Sequence, residues 1–361
     1  MSEPLKVFIV DDSSLYRKIL SSAVDALPMP TQVDTAPSGA IALKKIPAFD
    51  PAIVLLDIEM PDMNGIEVLK AIRKENTDVT VVLVSGTTSR SADITIDGLS
   101  SGASDFIPKP TGGSIDENIK ALQRGLTEAF TLAAARRLRR EERTRRPAPG
   151  RPVTAATPSL LPSRVDIVAI GISTGGPNAL ETMLPMLPAS FRVPIAIVQH
   201  MPPLFTASLA RSLSRNAKLN VVEAAEGMPL VAGGVYIAPG GKHMVVRREG
   251  GSLVARLDDG PPVNSCKPAV DVMFESLVPV TGKHTLAVVM TGMGADGAAG
   301  VAALKQVSAY CLTQSAETCT VYGMPHAVDQ ARLSDESVPL DRLAARIAAI
   351  AGGVMGAAAT R

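Results

Sequence analysis

At 361 residues the chain is long enough for two domains, and with 46% hydrophobic and 20% charged residues it reads as a globular protein with a substantial core. A formal charge of +1 gives no overall field that would draw it to nucleic acid or to an anionic membrane. No apolar run approaches a membrane span, and the first residues lack a signal-peptide pattern. Cys266, Cys311 and Cys319 form no CxxC pair, so a cytoplasmic protein with reduced cysteines and without zinc is expected.

Over the first 125 residues, short apolar runs alternate with helical periodicity. Strands are expected at 6–10, 32–36, 52–56, 79–84 and 104–107, with helices between them and a last helix from Asp116 to about Arg136. Five such units predict an α/β fold, a doubly wound parallel sheet. In that fold, chemistry gathers beyond the carboxyl ends of the strands. Asp11 and Asp12 follow the first strand, Asp57 the third, Ser85 the fourth and Lys109 the fifth. Clustered carboxylates make a hard oxygen site suited to Mg²⁺. A carboxylate there, beside an ammonium and a hydroxyl, is suited to taking up a phosphoryl group.

The motifs Val-Asp-Asp-Ser (10–13), Leu-Asp-Ile-Glu-Met-Pro-Asp-Met-Asn-Gly (56–65), Val-Ser-Gly (84–86) and Lys-Pro (109–110) resemble those of a response-regulator receiver domain. The resemblance implies Asp57 as phosphoacceptor, with Asp11, Asp12 and Asp57 in the Mg²⁺ pocket. It implies Ser85 as switch hydroxyl, Lys109 as phosphate-binding ammonium and Phe106 as aromatic switch, although a phenylalanine there also suits the core. A cis Lys109–Pro110 bond is a further implication.

From Arg136 to Arg151 there are eight arginines and two glutamates, followed by Pro152, Pro158 and Pro162. Without apolar periodicity this stretch reads as a helical exit and solvated linker over 126–163. No aromatics are interleaved with the arginines, so nucleic acid is not an expected partner.

Alternation resumes at residue 164. A strand over 165–170 runs into Gly-Ile-Ser-Thr-Gly-Gly-Pro, which puts Ser173 on a tight turn into a helix over 178–187. A nucleophile there lies near unpaired backbone N–H groups, as an oxyanion product requires. A strand over 194–198 ends at Gln199-His200, and one over 284–290 ends at Thr-Gly-Met-Gly-Ala-Asp-Gly. Ser173, His200 and Asp296 thus fall beyond three strand ends, and hydroxyl, imidazole and carboxylate are the parts of a serine triad. Thr174 and Met293 flank the site as possible oxyanion N–H donors. Short strands at 234–238, 243–246 and 253–256 predict an antiparallel ribbon. His243 and His326 stay open as cleft residues. Asp271 and Asp258–Asp259 rival Asp296, Asp271 being read as a solvated or capping residue on a helix.

The motifs Ile170–Pro177, Gln199-His-Met-Pro-Pro203, Tyr236-Ile-Ala-Pro-Gly240, Pro268-Ala-Val-Asp271 and Thr291–Gly297 resemble the catalytic domain of the CheB family of chemotaxis protein-glutamate methylesterases. Ile172 stands where that family usually has Ala, and Cys266-Lys267 where His-Arg is common. The resemblance implies a receiver domain (1–125), a linker (126–163), a methylesterase domain (164–352) and a tail (353–361). It implies a phosphorylation-regulated hydrolase that demethylates receptor glutamates and deamidates receptor glutamines in chemotaxis. It also implies a chemotaxis histidine kinase as phosphodonor, chemoreceptor cytoplasmic helices as substrate and no cofactor for the ester chemistry. The unphosphorylated receiver is expected to hinder substrate entry. The alternative is a nucleotide-binding or DNA-binding output domain, but GxSxGG is not a dinucleotide fingerprint and no small basic helix-turn-helix domain is evident.

Overall fold

A computed structural model describes residues 4–75, 78–144 and 161–352. The chain divides into two compact units, Met1–Gly150 and Arg151–Arg361.

In the first unit β1 (Leu5–Val10), α1 (Ser14–Asp25), β2 (Thr31–Ala36), α2 (Gly39–Phe49), β3 (Ile53–Asp57), α3 (Gly65–Glu75), β4 (Thr80–Ser85), α4 (Ser89–Ser100), β5 (Asp105–Pro108) and α5 (Ile115–Thr144) alternate along the chain. The five strands are all parallel, in the order β2-β1-β3-β4-β5. β3 and β4 are buried along their whole length, which explains why they read as continuous apolar runs: helices cover both faces of the sheet. Ser13, Ser38 and Thr88 start α1, α2 and α4 by accepting from the backbone N–H three residues on. Strand order reverses at β1, so Asp11 and Asp57 emerge side by side at the sheet's switch point. Gly65 opens α3 against the end of β3. A Cβ there would lie 2.2 Å from the Asp57 carbonyl oxygen, so no side chain fits.

α5 continues past residue 125. Leu126, Ala129, Phe130 and Ala133 pack with Ile19, Leu20, Ala23 and Val24 of α1 in the same core as β1, β3 and β4. The proline- and arginine-rich segment at 145–160 and the tail at 353–361 lie outside the described residues. Lys109–Pro110 is not cis: among the described residues the cis peptide bond is Lys267–Pro268.

The second unit comprises β6 (Ile167–Ile172), α6 (Gly176–Met183), β7 (Ile195–Gln199), α7 (Phe205–Asn216), β8 (Asn220–Glu223), β9 (Met228–Pro229), β10 (Gly234–Ile237), β11 (His243–Glu249), β12 (Ser252–Asp258), α8 (Val270–Leu277), β13 (Thr285–Val289), α9 (Ala298–Gln306), β14 (Tyr310–Gln314), α10 (Met324–Gln330), β15 (Glu336–Val338) and α11 (Leu340–Ala351). Seven strands form a parallel sheet ordered β15-β14-β13-β6-β7-β10-β8. β6, β7 and β13 are adjacent and wholly buried. The expected ribbon exists, but with different members. Gly234–Ile237 is fully buried and pairs in parallel with β7 and β8, so it belongs to the main sheet, while β11, β12 and β9 make the antiparallel ribbon.

Candidate active site and phosphorylation site

β6 ends at Ile172, and the chain turns at once through Ser173, Thr174 and Gly175 into α6. Gly175 has φ 75°, a left-handed conformation, and a Cβ on Gly176 would sit 1.9 Å from Gln199 Oε1. The turn is pinned by the Ser173 N–H donating to Thr291 O (2.9 Å), the Gly176 N–H to Ser173 O (2.7 Å) and Gln199 Nε2 to Ser173 O (3.0 Å). Gly171 proves to lie inside β6 rather than at the turn; a Cβ there would meet Val270 at 2.3 Å.

β7 delivers His200, whose N–H donates to Ile172 O (3.1 Å). The loop after β13 delivers Asp296. Its Oδ2 lies 2.7 Å from His200 Nε2 and accepts from the Val270 N–H at 2.7 Å. Its Oδ1 accepts from the N–H groups of Asp271 and Gly297 (both 3.1 Å) and from Asn264 Nδ2 (2.9 Å). Two of these donors are the first amides of α8, where helix geometry favours negative charge. Burial would lift the Asp296 carboxyl, but His200 and the Val270 amide hold it at about 2. Burial works against charging His200, but Asp296, then Cys266, outweigh it and raise the imidazole to about 9.

Ser173, Thr174 and Asp296 are buried, and Met293 is half-buried. Among the described residues, the Ser173 hydroxyl and the backbone N–H groups of Thr174 and Met293 make no hydrogen bond. They are free to meet a substrate.

The other candidates take structural places, and Asp271 alone among them touches Asp296. His243 is buried in packing, accepting at Nδ1 from the Ala269 N–H (3.1 Å) with Nε2 3.0 Å from Pro261 O. His326 is exposed and lies edge-on to Tyr322. Asp258 and Asp259 are exposed. Asp271 is not solvated. It is buried, and its Oδ1 accepts from the N–H groups of Gly297 (2.9 Å) and Gly300 (2.7 Å), capping α9 rather than its own helix.

Two neighbours were not foreseen. The turn Val263–Cys266 closes with two backbone hydrogen bonds, and Asn264 (φ 52°) and Ser265 (φ 59°) are both left-handed. This turn aims Asn264 at Asp296 and at Asp271 Oδ2 (2.8 Å), and sets Cys266 Sγ 3.5 Å from His200 Nδ1. Asn is the residue type most tolerant of that backbone after glycine, which is the one signal the sequence offered.

In the first unit Lys109 Nζ bridges Asp11 Oδ2 (2.9 Å) and Asp57 Oδ2 (2.8 Å). Asp11 and Asp57 are buried and Asp12 is exposed, and one oxygen from each lies within 4.8 Å of the others. Burial lifts Asp57 to about 6 against the pull of Lys109, with Asp11 adding to the rise. The Ser85 hydroxyl is buried away from solvent and held by Thr95 Oγ1 at 2.6 Å. Phe106 is half-buried rather than a core residue.

A family model described as CheB methylesterase matches residues 168–347, and one described as response regulator receiver domain matches residues 7–122. A protein-glutamate methylesterase/protein-glutamine glutaminase of Geobacillus kaustophilus is 43% identical over 96% of this chain and 99% of its own. One from Trichodesmium erythraeum is 39% identical over 95% of this chain and 97% of its own. Among solved structures, the Thermotoga maritima CheB methylesterase catalytic domain is 38% identical, covers 51% of this chain and 97% of that one, and superposes with a TM-score of 0.50. Matched in both units and nearly end to end, the chain belongs to the CheB methylesterase family, with a receiver domain ahead of the esterase.

Proposed function

We propose that this protein is a phosphorylation-regulated serine hydrolase that removes methyl esters from glutamates, and amide nitrogen from glutamines, on the cytoplasmic helices of chemoreceptors. The observation that carries the reading is the convergence of Ser173, His200 and Asp296 from three adjacent strands, with Asp296 2.7 Å from the imidazole. Asp296 engages Nε2, which leaves Nδ1 as the base. His200 takes the Ser173 proton through Nδ1 as the hydroxyl oxygen attacks the ester carbonyl. In the resting protein the two are not hydrogen-bonded, and such contacts commonly tighten only when substrate binds. The free N–H groups of Thr174 and Met293 are the donors available to the oxyanion. His200 then gives its proton to the departing methanol or ammonia, and water releases the acyl enzyme by the reverse path. The family match sets the nucleotide-binding and DNA-binding alternatives aside.

In the receiver, Asp57 is the phosphoacceptor, with a chemotaxis histidine kinase as donor. Asp11, Asp12 and Asp57 form an oxygen donor set that fits Mg²⁺, with exposed Asp12 leaving room for metal-bound water. Bound there, the ion supplies charge neutralisation for phosphoryl transfer. Lys109 is already placed to pair with the incoming phosphoryl group, and Ser85 must leave Thr95 to reach it. The protein acts in the cytoplasm on this reading; among the described residues no helix is long and apolar enough to cross a membrane.

The deciding assay is methanol release from methylated receptor membranes. Acetyl phosphate with Mg²⁺ is expected to raise the rate of the intact protein 5- to 150-fold, the range of a coupling of about 1–3 kcal/mol. Asp57→Asn should stay at the basal rate, and a fragment of residues 160–361 should exceed that rate and ignore acetyl phosphate. Equal stimulation of Asp57→Asn would remove the phosphoacceptor assignment.

A second expectation concerns pH. An aspartate lifted in the folded state favours folding while protonated, and that contribution is lost as pH rises through the folded value. The metal-free receiver should therefore lose stability from this group between about pH 4 and 6. Mg²⁺ must displace the same proton, so its affinity, measured by calorimetry, should fall as pH drops below about 6. Affinity constant from pH 5 to 7 would show that Asp57 does not titrate there.

A further inference from the structure

Cys266 lies against the catalytic imidazole, yet the ester chemistry gives it no task. Its thiol is almost fully buried, and Sγ is 3.5 Å from His200 Nδ1. For a tetrahedral ion with S and N ligands at their usual lengths, the S-to-N separation is roughly 3.6 Å. The other ring nitrogen completes the pattern. A histidine that ligates a metal typically donates its remaining N–H to a carboxylate, which fixes the tautomer. Here Nε2 is bonded to Asp296, and Asp296 is in turn held by Asn264 and the amides of α8. In its neutral form the imidazole therefore presents toward the thiol the same lone pair that serves as the base. One ligand atom from each of His200, Cys266 and Asp296 lies within 4.8 Å of the others.

We propose that His200 Nδ1 and Cys266 Sγ form an inhibitory site for a soft or borderline divalent cation of the Zn²⁺ class. Water completes the coordination, and Asp296 and Asn264 support the imidazole from behind. The ion and the Ser173 proton compete for one lone pair, so occupancy stops the esterase. This rests on the triad reading above. Thiolate and imidazole select against Mg²⁺, while the oxygen cluster of the receiver selects for it. The two units thus sort cations by hardness: one kind supports phosphorylation and the other silences the output.

The test uses the full-length protein with Zn²⁺ for inhibition and Co²⁺ as a spectroscopic probe. Zn²⁺ should slow methanol release, and a chelator should restore it; Mg²⁺ should not inhibit. Co²⁺ should give a thiolate-to-cobalt charge-transfer band in the near ultraviolet. In Cys266→Ser the band should vanish, and half-inhibition, normalised to the same variant's metal-free rate, should need at least roughly ten-fold more Zn²⁺. Cys266→Ala should behave alike, with folding of both checked by thermal melts. Ser173→Ala should keep the band although it releases no methanol, which separates metal binding from the esterase reading. A band that survives Cys266→Ser, a band lost in Ser173→Ala, or zinc inhibition unchanged by the cysteine substitutions would overturn the site.

Discussion

Ser173→Ala is expected to lower methanol release from methylated receptors by about 10⁶-fold, the loss seen when the hydroxyl of a serine triad is removed. The substitution deletes the hydroxyl proposed to form the acyl enzyme. The positions of His200, Asp296 and the free N–H groups do not depend on that hydroxyl, which makes no hydrogen bond among the described residues. The variant should therefore melt with the parent protein while its activity disappears. A residual rate above a tenth of the parent would end the serine mechanism. A large fall in melting temperature would mean instead that the turn had collapsed.

The second large effect is expected from Asp296→Asn, about 10⁴-fold in kcat, because the amide can donate to Nε2 and hold the imidazole in the wrong tautomer. The pH profile gives a separate signature. His200 must be neutral to act as base, and in the parent protein it is raised to about 9, so activity should climb from neutral pH to about 9. Without the carboxylate that limb should move down toward the ordinary histidine range near 6.5. A limb that stays in place would belong to some group other than His200. The same pair acts on stability. His200 favours folding below about pH 6.5, and the contribution fades as pH rises through 9; Asp296 does so above about pH 4, fading as pH falls through 2. The ion pair the two share is therefore complete between about pH 4 and 6.5.

Much of this architecture is legible in the chain because parallel strands buried on both faces leave unbroken runs such as Ile53–Leu56 and Ile167–Ile172. In such folds functional residues follow strand ends, so Asp57, Ser173 and His200 stand out as candidates where those runs stop. β8 is half-exposed and four residues long, and so carries too little pattern to be seen. β10 begins at a pair of glycines and reads as a ribbon strand, since four residues do not reveal that their partners are β7, 40 residues away, and the unseen β8. Asn264 and Cys266 sit in an irregular turn with no periodicity. Their role appears only when residues 32 and 66 positions away fold against them. Of the two readings of Asp271, capping holds and solvation does not, for a related reason. A carboxylate on a helix is usually wet, but this one serves the start of a different helix.

That exchange of carboxylates between α8 and α9 has an evolutionary reading. Asp296, just ahead of α9, receives the first amides of α8, while Asp271 of α8 receives amides at the start of α9. The carboxylate proposed for the triad is therefore also a clasp holding two helices in the core, whereas the Ser173 hydroxyl makes no hydrogen bond among the described residues. In a duplicated copy released from catalysis, selection for a folded protein would still guard position 296 and leave position 173 free to drift. Inactive descendants of this enzyme should lose the serine first and keep the aspartate longest, so the aspartate alone is a poor marker of activity and the serine a good one.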